Sequence, residues 1–172
     1  MTPIIRRTFL VAVAVAPIWH VALVYAVDVL PDARFVGFAE TVNDFEINSG
    51  QLALSKSSNE LVRAYATRAI AEYTTNAEYL TRNRNEAGVT MAPDEDVRKI
   101  AEDAMARLNS LQGAAFDTAY ADAQLRVQTA AVAQYGAYSQ NGNDGSLRRH
   151  AERTLPQMQS LLEAAKHLAG SR

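Results

Sequence analysis

The sequence predicts an all-α protein in which four long helices and one shorter helix form an antiparallel bundle. From Pro31 onward, apolar residues recur every three or four positions, which is the period of a helix with one buried face. No segment shows the strict alternation of apolar and polar residues that is typical of a half-buried strand. Alanine is frequent on the apolar stripes, which suits close packing of the long helices in a four-helix bundle.

Five helical segments are predicted, and turn formers separate them. They cover residues 32–55, residues 59–87, a third helix beginning near Asp94, residues 114–139 and residues 146–168. Gly88 is expected to end the second helix, because glycine tolerates a positive φ, and Gly113 separates the third from the fourth. The stretch SQNGNDGS breaks the pattern before the fifth segment. The short third helix is expected to serve as a connecting piece.

A proline interrupts the fifth segment. Pro156 lacks the amide that would bond the carbonyl of Glu152, so we expect the helix to bend there. The apolar spacing nevertheless continues through Leu162 and Leu168. The sequence therefore predicts a bend at Pro156 and not the end of the helix.

The first 26 residues are predicted to be an export signal. MTPIIRRT supplies a positive start, and the uncharged run FLVAVAVAPIWHVALVYA follows. Cleavage after Ala26 would leave a mature domain of residues 27–172 in the periplasm. The alternative is an uncleaved membrane anchor, because residues 8–27 are about long enough to cross a bilayer. In that case this segment is the one expected contact of the protein with the membrane. RRTFL partly resembles a twin-arginine motif, so the Sec and twin-arginine routes both remain open.

Composition and the motifs that are missing argue against several functional classes. The chain of 172 residues suits one domain, and its 17 basic and 19 acidic residues contain no basic block, so nucleic acid is not an expected partner. The absence of cysteine excludes disulfides, thiolate metal sites and cysteine nucleophiles. There is no Gly-x-Ser-x-Gly motif and no Gly-rich phosphate loop, so hydrolase and nucleotide-binding activities have no support.

Aromatic and histidine residues are assigned mainly to structural roles. His150 and His167 are the histidines of the predicted mature domain, and neither belongs to a Glu-x-x-His motif. Glu163 and His167 are expected to form an exposed pair on one helix. The aromatic residues fall at helical spacing and are expected in the core, in preference to a ligand cage: Phe35, Phe38, Phe45, Tyr65, Tyr79, Phe116, Tyr120, Tyr135 and Tyr138.

Four pieces of the chain carry a resemblance to a known family. They are SGQLALSKSSNELVRAYA, GVTM, LQGAAFDTAYADAQ and AERTLPQMQSLLEAAKHL. In this order and spacing, they resemble the exported bacterial proteins of the domain of unknown function 4142 family. The resemblance covers most of the mature chain and implies a ferritin-like helical bundle. Because the family's activity is not established, the resemblance implies no particular reaction.

The same resemblance implies a pocket inside the bundle. Family members commonly carry Glu-x-Glu on the first helix, Asp-His on the second and fourth, and a His after Thr-Leu-Pro on the fifth. Carboxylates and imidazoles that converge in a bundle are typical of a di-iron or similar site. The matching positions in this chain are Glu46, Asn48, Glu72, Tyr73, Val127, Gln128 and Leu161. The resemblance therefore implies a pocket whose metal ligands have been replaced, and no cofactor is expected.

Three functional hypotheses follow. The leading one is a non-enzymatic structural or binding module of the cell envelope that acts through its surface, with an envelope protein or a small ligand as its partner. In that case Tyr73, Gln128 and Leu161 are core residues, with the tyrosine hydroxyl and the glutamine amide bonded to each other or to water. The second is a metal-dependent envelope oxidoreductase or metal-handling protein that uses Glu46, Asn48, Glu72 and Gln128. The third is a site for a small apolar or aromatic ligand between helices near Tyr73.

Overall fold

The computed structural model describes residues 27–171, which form five helices. The helices are α1 (Asp32–Lys56), α2 (Glu60–Ala87), α3 (Glu95–Ser110), α4 (Gly113–Asn141) and α5 (Gly145–Gly170). The observed boundaries lie within two residues of the predicted ones. No strand occurs in residues 27–171, so the all-α prediction is confirmed. The predicted signal segment, its cleavage after Ala26 and the anchor alternative lie outside the described residues.

Side-chain caps fix where three helices begin. Asn59 accepts from the first amides of α2, Asp94 accepts from those of α3, and Asp144 accepts from those of α5. Gly88 ends α2 with a φ of 66°, as predicted for a glycine at this position. The predicted break at SQNGNDGS is reduced to residues 142–144, because α4 continues to Asn141 and Asp144 starts the next helix at once.

Helix α5 is continuous through its proline. The helix extends to Gly170, so the prediction that Pro156 does not end it is confirmed. Ala151 before the proline and Met158 and Leu161 after it are all buried. Burial of apolar side chains on both sides holds this segment in the core and compensates for the missing backbone hydrogen bond.

The long helices enclose one continuous core. Helix α1 packs against α2 and α4, helix α5 packs against α4 and α2, and the shorter α3 lies against α1 and α4. On α2, the residues that recur every three or four positions are all buried: Val62, Ala66, Ala69, Tyr73, Asn76 and Leu80. Among the helices of residues 27–171, none is both long and apolar enough to cross a membrane.

Two contacts tie α3 and its approach to α1. The amide of Ala92 donates to the carbonyl of Ala33 over 2.9 Å. A Cβ added to Gly37 would lie 2.0 Å from the Ala92 carbonyl oxygen, so the connection between α2 and α3 crosses α1 where α1 has no side chain. At the other end, the Lys56 ammonium donates to the carbonyls of Leu108, Asn109 and Leu111, over 3.0, 2.7 and 3.0 Å. This ammonium bonds carbonyls at the C-terminal end of α3, where a positive charge is favourable.

Candidate functional site: two buried polar layers

Five of the seven positions that the resemblance matches lie inside the protein. Glu46 of α1, Tyr73 of α2, Val127 and Gln128 of α4 and Leu161 of α5 are each at most 1% exposed. The Tyr73 hydroxyl donates to the Gln128 amide oxygen over 2.9 Å. This is the tyrosine–glutamine contact expected if the two residues belong to the core. The resemblance therefore identified positions that do point inward from four helices.

The other two positions lie outside this cluster. Asn48 is exposed and borders a groove between α1 and α3. Glu72 is partly exposed and accepts from Arg68, one turn earlier on α2, over 2.7 Å. Asn48 and Glu72 thus do not join Glu46 and Gln128 in a single donor set, because successive residues of a helix point in different directions. The predicted pair of Glu163 and His167 is also replaced, since Glu163 accepts from Lys166 over 2.7 Å.

Buried polar side chains surround Glu46, and we call them the Glu46 layer: Glu46, Ser49, Tyr65, Tyr73, Gln124 and Gln128. Gln128 donates to the Tyr65 hydroxyl over 3.3 Å, and the Tyr65 hydroxyl lies 3.2 Å from one terminal atom of the Gln124 amide. The other terminal atom of that amide lies 3.0 Å from the Ser49 hydroxyl, and the two groups are bonded in either orientation of the amide. The layer is a connected network from three helices, and such networks hold buried polar groups at little cost only when their members are paired.

Glu46 and Gln124 make the closest contact of this layer. One terminal atom of the Gln124 amide lies 2.6 Å from Oε2 and 2.9 Å from Oε1 of Glu46. If this atom is the amide oxygen, a protonated Glu46 donates to it, and 2.6 Å suits an O–H···O bond. If it is the amide nitrogen, it donates to an ionised Glu46. The orientation of one amide is therefore coupled to the protonation of one carboxyl.

Burial favours the protonated form of Glu46. Removal from water raises the pKa of this carboxyl well above its ordinary value, and a hydrogen bond from Gln128 opposes the shift only in part. Burial, followed by the proximity of Glu46, likewise raises the pKa values of Tyr65 and Tyr73. The layer thus stays neutral: a carboxylic acid, phenols and amides that hydrogen-bond one another.

A second set of buried polar residues forms the His150 layer: Asn43, Asn76, Tyr135, His150 and Thr154. Asn76 is its centre, because its amide nitrogen donates to the Asn43 amide oxygen over 2.8 Å and to the Tyr135 hydroxyl over 3.3 Å. Its amide oxygen accepts from the Thr154 hydroxyl over 3.0 Å. Asn76 therefore connects α1, α4 and α5 through one side chain.

His150 does not take part in these bonds. It is 1% exposed, and neither ring nitrogen has a hydrogen-bond partner among the described residues. Burial, with a smaller contribution from the positive charge of Arg153, lowers the pKa of His150 to about 4. The imidazole is therefore neutral near pH 7, and its ring lies 5.8 Å from the Tyr135 ring, centroid to centroid. Here the histidine fills space among aromatic groups.

The donor chemistry of neither layer fits a di-iron or similar centre. Such centres use several carboxylates and imidazoles, whereas the Glu46 layer offers one carboxyl that burial holds protonated. Within residues 27–171, no group of three or more His, Asp or Glu residues has a metal-binding arrangement. The interior is built for hydrogen bonds between neutral groups.

The sequence did not reveal several members of these layers. Asn43, Gln124 and Tyr135 take part in the networks, yet nothing in their local pattern showed which helix each would contact. Of the predicted core aromatics, eight are buried, while Tyr79 is half-buried and lies against two arginine side chains. Ser49 on the apolar stripe of α1 and Asn76 on that of α2 are polar residues whose inward position the spacing does indicate.

Comparison with known proteins gives one match. A family model described as "Domain of unknown function (DUF4142)" matches residues 26–168. No curated protein and no solved structure matches the chain. The matched range contains α1 to α4 and all but the last two residues of α5. Because the match covers most of the sequence, the chain belongs to the DUF4142 family.

Proposed function

We propose that this protein is a non-catalytic helical module of the bacterial cell envelope that acts by binding an envelope protein or a small ligand at its surface. One observation carries the proposal. At the positions where the resemblance implies metal ligands, Tyr73 and Gln128 are bonded to each other, and Glu46 is fully buried beside them, where burial raises its pKa. An interior used in this way leaves the surface as the place of contact with other molecules.

The proposed arrangement is a ferritin-like antiparallel four-helix bundle. Three-residue connections at 57–59 and 142–144 favour antiparallel pairing of α1 with α2 and of α4 with α5. The packing of α2 against α5 and of α1 against α4 supports a closed ring of four helices. Helix α3 then connects the two pairs on the outside, consistent with its having the fewest buried residues of the five.

Export to the periplasm is part of the proposal. It rests on the composition of residues 1–26, in which two arginines precede a long uncharged run. Intact-mass measurement of protein from the periplasmic fraction tests it. We expect a mature chain that begins at Val27, whereas a full-length species held in the membrane would favour the anchor. Replacing Arg6 and Arg7 with lysine should impair export strongly only if the route is twin-arginine.

Elemental analysis decides between this function and the metal-dependent alternative. Mature protein purified without chelator should carry far less than one transition metal per chain, and added iron, manganese or zinc should raise its melting temperature little. Glu46→Gln removes the one carboxyl of the Glu46 layer, and Glu78→Gln, at an exposed site on α2, is the matched control. Near-stoichiometric metal that is lost only in Glu46→Gln would overturn the non-catalytic function and establish a metal site.

A further inference from the structure

Arginine is concentrated where the C-terminal half of α2 lies beside the N-terminal half of α5. Two α2 residues and three α5 residues contribute: Arg82, Arg84, Arg148, Arg149 and Arg153. Each guanidinium carries five N–H donors and a permanent positive charge, so each needs acceptors from the protein or from another molecule. An account of these acceptors separates the five arginines into two groups.

Three of them are engaged by the protein itself. Arg84 donates to Glu40 over 2.5 Å, and Arg149 donates to Glu86 over 3.0 Å. Arg148 donates to two backbone carbonyls of the connection after α4, over 2.6 and 3.0 Å. These three guanidinium groups join helices or close a loop, so their positions have a structural explanation.

Arg82 and Arg153 are different. Their Cζ atoms lie 4.5 Å and 4.7 Å from the centroid of the same ring, that of Tyr79. Within residues 27–171, neither forms an ion pair or a hydrogen bond with a protein group, and both are exposed. Glu78 lies one helical turn before Arg82, yet Arg82 contacts the aromatic ring and not this carboxylate.

Stacking on an aromatic ring prepares a guanidinium for binding an anion. In a stacked contact a guanidinium uses its face, so the N–H groups along its edge remain available for an anion. That edge matches the spacing of two oxygens of a carboxylate or a phosphate. Because both guanidinium groups lie against one ring, an anion beside the ring is within reach of the two. Two positive charges match a phosphate monoester, which carries about −1.5 to −2 at pH 7, better than a single carboxylate.

We propose that Arg82 and Arg153, held against Tyr79, form a binding site for a phosphate group, either free or in a lipid headgroup. The site deepens the proposed function, on which it rests for the surface as the place of contact, by naming the chemistry that the surface recognises. The metal analysis above involves neither arginine. A failure to bind phosphate would therefore refute this site and leave the proposed function standing.

Titration with inorganic phosphate at constant ionic strength tests the site. The Nε–H resonances of Arg82 and Arg153 should shift in the NMR spectrum of the mature protein. Arg82→Gln and Arg153→Gln should each weaken binding at least about tenfold, the scale of a lost charge-assisted interaction. Tyr79→Leu should weaken it as well, whereas Tyr79→Phe should not, because the ring is what positions the arginines.

Arg149→Gln is the matched control, since Arg149 lies in the same region but is engaged by Glu86. Vesicles that contain phosphatidic acid, whose headgroup is a phosphate monoester, are compared with vesicles of phosphatidylcholine alone to identify the source of the group. If the anionic vesicles bind the protein through Arg82 and Arg153, the phosphate is lipid-borne; if only inorganic phosphate does, it is free. No shift at either arginine, an equal loss in Arg149→Gln, or tighter binding of polyglutamate at these residues would overturn the proposal.

Discussion

In the Glu46 layer, each glutamine amide and the hydroxyls of Tyr65 and Tyr73 have a bonding partner in the layer, although the buried Tyr120 hydroxyl beside Tyr65 has none among the described residues. In the His150 layer, by contrast, both ring nitrogens of His150 and the amide nitrogen of Asn43 have none among the described residues. A buried polar group without a partner costs about 1–3 kcal/mol. The hydrogen bonds of the first layer can therefore specify how α1, α2 and α4 pack. The second layer combines the well-bonded Asn76 with unpaired groups on His150 and Asn43, which lower the free energy of unfolding.

The two layers also respond to acid in opposite ways. Burial raises the pKa of Glu46 and lowers that of His150, so it favours the neutral form of both groups in the folded protein. As pH rises above the ordinary carboxyl range, Glu46 makes folding less favourable, since the unfolded chain loses its proton first. As pH falls below the ordinary imidazole range, His150 makes folding less favourable, because His150 of the unfolded chain gains a proton at a higher pH than His150 of the folded protein. The comparison yields four predictions.

The largest effect is expected from Asn76→Ala. It removes three hydrogen bonds between helices and leaves a cavity at a position that is 3% exposed. We expect the free energy of unfolding to fall by about 3 kcal/mol, from lost bonds together with the cavity. Denaturant unfolding measures it, with the exposed Asn85→Ala as control. A loss equal to that of Asn85→Ala would show that Asn76 is not the centre of its layer.

His150 should make stability fall with acid. Its pKa is about 4 in the folded protein, against an ordinary value of 6.5, so between these values the unfolded chain binds more protons. The free energy of unfolding therefore has its full value above pH 6.5, and it decreases by up to about 3 kcal/mol as pH falls to 4. His150→Leu should remove this decrease, and His167→Leu, at an exposed site, should not. Unchanged pH dependence in His150→Leu would contradict the assignment.

Tyr73→Phe tests the value of a satisfied bond. It leaves the Gln128 amide oxygen without its 2.9 Å donor and should lower the free energy of unfolding by about 1–2 kcal/mol. His150→Phe, at a site where no ring nitrogen is bonded, should lower it less at pH 7. Parallel urea titrations of the two variants compare the layers directly. A larger loss for His150→Phe would reverse the contrast drawn between them.

The smallest effect at pH 7 is expected from Glu46→Gln. The amide replaces a carboxyl that is already neutral, so the contact with Gln124 can be retained. The change should appear as a weaker loss of stability toward alkaline pH, because the raised pKa of Glu46 no longer contributes. Melting temperatures between pH 5 and pH 9 measure the slope, and Glu78→Gln should leave it as it is. An unchanged slope in Glu46→Gln would mean that Glu46 is already ionised in the folded protein over this pH range.

Helices could be predicted from the sequence more fully than the layers could. The period of apolar residues and the capping residues are local signals, and they located all five helices. A single buried stripe describes α4 less well. The adjacent residues Val127 and Gln128 are both buried, whereas Gln134, which the helical spacing places on the same stripe as Val127, is only partly buried. The reason is that α4 packs against α1, α3 and α5, so its buried surface is wider than one stripe.

Pairing between helices was beyond local signals. The contact of Tyr73 with Gln128 was anticipated through the family register, whereas Gln124 with Ser49 and Asn76 with Asn43 were not. Such pairs depend on how far each helix is rotated and shifted along its axis. Residues distant in the chain set those quantities together through packing.

Gly37 limits which sequence changes this fold can accept. Because the Ala92 carbonyl occupies the space of a Cβ, even alanine at position 37 would push the connection between α2 and α3 away from α1. A relative that carries a larger residue there must route its connection differently or hold α3 at another angle. A substitution at position 37 therefore requires a compensating change in the connection between α2 and α3.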